Sequence, residues 1–139
     1  MTQATPQRTV NISVIERNDP ALPPPKNVQV AYTYWSPNDG MARTAWTKCD
    51  LIQTSATNTL FVLDYPSTAN GWTIDRTEPN PPGAPALETV SGPAKQSIMT
   101  IFPELTVPQI FNFFIIYKNT VTGQEVGIDP QEKNVPDIR

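Results

Sequence analysis

The chain has 139 residues, a formal net charge of −3 and no histidine. That length suits one domain with a real core and is short for two. The mild acidity, without a basic cluster, leaves no electrostatic footprint for nucleic acid or an anionic membrane, and the missing histidine removes Ser-His-Asp and Cys-His catalysis and every His-ligated metal site.

Cys49 is the single cysteine, so neither an intrachain disulfide nor a thiolate zinc site can form. A lone thiol is compatible with a reducing compartment. The first residues, "MTQATPQRTVNISVIERN", lack an apolar run of signal-peptide length, and no segment reaches the roughly 20 apolar residues of a membrane span. These features set the expectation of a cytoplasmic protein with no membrane or nucleic-acid partner, no cofactor and no metal. The 16 prolines are about twice the usual frequency of roughly 5%, which breaks long helices and favours short strands joined by ordered loops.

In chain order, "TVNISVI" alternates, placing Val10, Ile12 and Val14 on one face of a strand. "NDPALPPPKN" is a stiff, polyproline-like loop. "VQVAYTYW" is a second strand, with Val28, Val30, Tyr32 and Tyr34 on one face. "SPNDG" (Ser36 to Gly40) has turn chemistry. "RTAWTKCDLIQT" reads as a strand pair or one bent strand. "TLFVLDYP" and "GWTIDRT" flank "STAN", which predicts a hairpin. "EPNPPGAPALETVSGPAK" is a Pro/Gly-rich connection with a short edge strand around Leu87 to Val90. "QSIMTIF" is a strand and "FPELTVP" a crossing loop. "QIFNFFIIYKNT", the most apolar run, is β-branched and aromatic and is expected to be a central strand. "VTGQ" turns the chain, and "EVGID" returns as the last strand. Seven to nine short strands without a convincing helix predict an all-β, single-domain antiparallel β-sandwich.

Chemistry without histidine falls to carboxylate, lysine, tyrosine or serine groups. Asp-Pro bonds occur at Asp19-Pro20 and Asp129-Pro130. An aspartate oxygen can reach its own carbonyl carbon and close a five-membered anhydride, so proximity replaces an external nucleophile. Proline supplies a tertiary amide whose nitrogen is a more basic leaving group. A neutral acid nearby would protonate it. Asp19-Pro20 opens a proline-rich loop and reads as a turn. Asp-Pro pairs are common turn starters, so the bond at Asp129 also has a plain reading as a strand end.

Asp64 and Asp75 make a second constellation. A symmetric hairpin through "PSTANG" would oppose the two carboxylates, and one would then keep its proton near neutral pH. Such an acid would serve self-cleavage, or an aspartic peptidase acting on other chains. The alternative is two solvated strand-end charges. Lys118 and Tyr117 end the strand that pairs with "EVGID", whose hairpin would set Asp129 opposite Ile115 or thereabouts. Tyr32 and Tyr34 offer phenols, although spacing two more often marks packing on one sheet face. Cys49 reads as a small buried side chain rather than a nucleophile. Trp35, Trp46 and Trp72 could line a sugar platform but more often fill a core.

The terminal "DPQEKNVP", following "FNFFIIYKNTVTGQEVGI", resembles the DP-EP family of small bacterial proteins. The matching positions are Asp129, Pro130, Gln131, Asn134 and Pro136, with Phe111, Asn112, Phe113, Asn119 and Thr120 before them. The resemblance covers about the last thirty residues. It implies an immunoglobulin-like sandwich and aspartic-type self-cleavage between Asp129 and Pro130. Asp129 would be scissile residue and nucleophile, and Pro130 the leaving group. Gln131 and Asn134 would hold the released segment, residues 130–139, or orient the carbonyl. The substrate is then the chain's own C-terminal segment. The alternative expectation is a non-catalytic sandwich used for binding or for assembly into a homo-oligomer.

Overall fold

A computed structural model describes residues 7–17, 20–23, 26–36, 41–46, 49–53, 56–128 and 130–134. It gives backbone alone at 35, 36, 41–43, 45, 46, 49, 50, 52, 53 and 130–134. The "SPNDG" turn beyond Ser36, Asp19 and Asp129 lie outside the described residues, as do the side chains of Cys49, Trp35 and Trp46.

The chain is all-β, in two sheets. The first has the order β3 (Met41–Trp46), β2 (Val28–Ser36), β1 (Gln7–Glu16), β5 (Thr57–Leu63), β8 (Ser97–Phe102) and β7 (Glu88–Ser91). The second is built on β9 (Gln109–Asn119). On one flank lies β6 (Trp72–Pro79). On the other lie β10 (Glu125–Ile128) and β11 (Pro130–Asn134), and β11 also pairs with β4 (Cys49–Gln53).

Alternation creates the core. Val10, Ile12, Val14, Val28, Val30, Tyr32, Phe61, Leu63 and Ile98 point inward from the first sheet. Leu51, Trp72, Ile74, Phe113, Ile115, Tyr117, Val126 and Ile128 meet them from the second. Phe61 packs edge-on against Phe113, with ring centroids 6.4 Å apart, and Phe102 against Phe111 at 5.0 Å. Such ring pairs add about 1 kcal/mol beyond the area they bury. The phenol oxygens of Tyr32 and Tyr117 lie 3.0 Å apart in the core and link the sheets by a hydrogen bond.

The structure differs from the expected plan in four places. Two pairings are parallel, β1 with β5 and β4 with β11, so the sandwich is not wholly antiparallel. Among the described residues there are eleven strand segments, where seven to nine strands are expected. The "STAN" hairpin does not form: β5 and β6 lie in different sheets. Between them is a short helix, α1 (Tyr65–Ala69), which Asp64 starts by accepting from the Ser67 backbone N–H at 3.0 Å, with proline in the first turn. That arrangement satisfies an orphan donor and presets the backbone, so a helix start wins over a tight turn. Finally, "EVGID" is not the last strand, because β11 follows it.

Candidate functional site

The C-terminal segment is organised by β9. In β10, Glu125 opposes Lys118 and Ile128 opposes Ile115. In β11, Gln131 opposes Asn112 and Asn134 opposes Gln109. Both strands therefore keep one register on β9, on either side of the Asp129-Pro130 bond. On its other flank β9 holds β6, and the Asn80 N–H donates to the Asn112 carbonyl at 3.0 Å. β11 also runs parallel to β4, with Pro130 opposite Cys49, Gln131 opposite Asp50 and Glu132 opposite Leu51. Residues 130–134 are thus an interior strand of the second sheet, not a loose tail.

Gln131 and Asn134 occupy ladder positions within that strand. Lys118 lies at the far end of β10 from the Asp-Pro bond, exposed, opposite Glu125 and Thr73. Its carbonyl accepts from the Thr73 hydroxyl at 2.9 Å. Tyr32 and Tyr117 are fully buried between the sheets, where their phenols serve packing.

The two carboxylates do not meet as a hairpin pair. Asp64 caps α1, its Oδ1 accepting from the N–H and the hydroxyl of Ser67. The same Ser67 hydroxyl accepts from the Val14 N–H at 2.8 Å, so Asp64 pins the helix to β1. Asp75 sits where the β6–β9 register shifts between Ile74 and Arg76. There it receives hydrogen bonds from Lys95, at 3.0 Å, and from Arg76. Lys95 first, then Arg76, holds its carboxyl below the usual carboxylate range. A neutral acid made by carboxylate repulsion therefore does not arise at Asp75. Arg76 also reaches Glu78 and Glu125, and these three acidic partners raise its own pKa.

A cleft of about 410 Å³ lies beside the strand that leads into the Asp-Pro bond. It is lined by Lys26, Val28 and Gln29 on one side and by all four residues of β10 on the other. It forms where β2 outruns β3, whose last paired residue, Trp46, opposes Ala31. Water can reach the flank of β10 there. Nothing local in "PPPKN" announces this, because the cleft exists only once the two sheets are stacked.

A second cleft, of about 420 Å³, is lined by Ser13, Glu16, Pro66, Asn70, Asn119 and Thr122, among others. The Glu16 carboxylate accepts from the Trp72 indole N–H at 2.8 Å and from Asn119 at 3.3 Å. Asn119, itself buried, also donates to the Asn70 carbonyl and accepts from the Val121 and Thr122 N–H groups. Gly71, between these groups, has a positive φ of 93°, and a Cβ there would meet Val121 and the Asn119 side chain within 3 Å. Trp72 is 1% exposed, so it anchors the core rather than offering an aromatic platform.

Among the described residues no group of three or more His, Cys, Asp or Glu side chains could hold a metal. No helix among them is long and apolar enough to cross a membrane. Compared with known proteins, the chain matches no family model and no curated sequence.

Proposed function

We propose that this chain cleaves itself between Asp129 and Pro130. The observation that carries the reading is the shared register of β10 and β11 on β9, with Ile128 opposite Ile115 and Gln131 opposite Asn112. With the residues before and after it both paired to β9, the bond suits intramolecular attack over external hydrolysis. A carboxylate oxygen of Asp129 bonds to its own carbonyl carbon, and the bond from that carbon to the Pro130 nitrogen breaks. The nitrogen takes a proton from solvent that enters through the cleft beside β10. Water then opens the anhydride, leaving a C-terminal Asp129 and a free prolyl N-terminus. The nucleophile is consumed, so each chain acts once, on its own segment 130–139, without cofactor or metal. The resemblance to the DP-EP family, its immunoglobulin-like architecture and a cytoplasmic setting belong to the same proposal.

After the cut, β11 stays in the sheet, because its ladders to β9 and β4 do not depend on the broken bond. Size measured on the native protein is then unchanged, while mass measured after denaturation drops by residues 130–139. Intact-mass spectrometry on native samples aged between pH 5 and 7 is the test. The expected result is a shortened chain that accumulates in the folded protein and is absent from Asp129→Ala. A shortened species of the same mass from Asp129→Ala, or no shortened species from the native chain, would sink the reading.

One observation favours a second reading, a non-catalytic sandwich used for interaction or assembly: β11 is paired on both flanks and therefore has a structural duty that needs no cut. A wild-type chain that keeps its full mass through prolonged storage at mildly acidic pH would select it.

A further inference from the structure

β10 and β11 share one register on β9, yet they are held by different forces. β10 buries Val126 and Ile128, at 4% and 7% exposure. β11 has the sequence "PQEKN", with no aliphatic or aromatic residue to bury and no N–H on its first residue. Main-chain ladders to β9 and β4 hold it, and such ladders read backbone and not side chains. The slot it fills is demanding. Among the described residues β4 pairs with no strand but β11. Leu51 and Phe111, 2% and 6% exposed, stand opposite Glu132 on either side of the slot. Emptying it would unpair β4 and one flank of β9 over residues 109–112, and would weaken the cover over both side chains. Among the described residues no element follows β11.

A strand whose sequence carries no large apolar residue, in a slot that its neighbours need filled, is an arrangement that permits exchange. We propose that the slot between β9 and β4 is a strand-acceptor site, whose occupant in an assembled form is the 130–134 segment of a second copy of this chain. The incoming segment makes the same ladder hydrogen bonds as the one it displaces, so competition is set by concentration. A short tether holds its own segment at an effective concentration of about 1 mM, so a second copy competes in that range. Exchange of this kind does not require the Asp129-Pro130 bond to be cut. A cut removes the tether and lowers the concentration needed.

The test uses the opposition of Ile110 and Lys133 across β9 and β11. Ile110 is 44% exposed, so replacing it spares the core. Full-length chains carrying Cys49→Ser with either Ile110→Cys or Lys133→Cys are mixed at about 1 mM, the range of a short tether, and then oxidised. Denaturing mass spectrometry is expected to find one Ile110→Cys chain joined to one Lys133→Cys chain, at twice the 15.4 kDa of a single chain. If self-cleavage has also occurred, the Ile110→Cys chain carries only the 130–139 peptide of the other copy. Either adduct supports exchange, and the two tell whether the bond was cut. A chain with both cysteines, oxidised when dilute, checks that the pair can close within one copy. If that control closes and the mixture yields no mixed adduct, the proposal is overturned. Should the control fail to close, light scattering on the wild-type chain at about 1 mM decides: dimer supports the proposal and monomer alone overturns it.

Discussion

β10 and β11 lie end to end on the same flank of β9, in the same register, and differ in almost everything else. "EVGI" alternates, and its two apolar residues are in the core. "PQEKN" has no such pattern and is a strand because β9 and β4 leave a strand-wide gap. The first buries two apolar side chains, and the backbone of the second pairs with both neighbours. A chain can thus change its mode of attachment within one residue, and the Asp-Pro bond lies at that change.

The sharpest way to break the comparison is at the junction. Asp129→Ala is expected to abolish the shortened species entirely in denaturing mass spectra, while native size stays the same. Next in size is the contrast between the strands themselves. Ile128→Ala is expected to cost about 3 kcal/mol, the usual loss for a buried Ile. Gln131→Ala, which keeps the backbone ladder, should stay within about 0.5 kcal/mol. Urea unfolding of the two variants measures both, and equal losses would mean that the two strands are held alike. A smaller effect, of opposite sign, is expected for Glu132→Val. The register opposes this residue to Leu51 and Phe111, and an aliphatic partner there should add about 1 kcal/mol. The same variant should slow the appearance of mixed adducts, since β11 would gain the anchor it lacks.

The smallest effect belongs to the opposite flank of β9. The Asp75 carboxyl is held below its ordinary range in the folded protein by Lys95 and Arg76. A lowered folded pKa stabilises at pH above the unfolded value of about 3.9, and that contribution fades as pH falls through the folded value. Asp75→Asn should therefore lower the urea midpoint slightly at pH 7. The difference from wild type should shrink as pH falls through the folded value. A gap that persists in acid would mean that Asp75 acts through packing rather than charge.

Much of the sandwich is legible in the sequence because its strands advertise themselves. Val10, Ile12 and Val14 alternate, and all three are buried. "QIFNFFIIYKN" is too apolar for an edge, and β9 pairs on both flanks. The short edge strand expected near Leu87 to Val90 is β7. Partnership cannot be read locally. "DYPSTAN" holds residues that suit a hairpin turn and a helix cap equally. The choice depends on whether β6 continues the first sheet or crosses to the second, which is decided by β9. The Asp64–Asp75 pairing fails with that hairpin. β11 is illegible for a different reason: its sequence carries no strand signal, and its pairing comes from β4 and β9, about 80 and 20 residues upstream by the register.

The register shift at Asp75 has a consequence for solubility. Among the described residues β6 pairs only with β9, so it borders the second sheet. A flat border of that kind invites stacking of like molecules into fibres. Here the border is bent by the shift, studded with Asp75, Arg76 and Glu78, and ended by Pro79. Growth of the sheet in that direction is blocked by geometry and charge together.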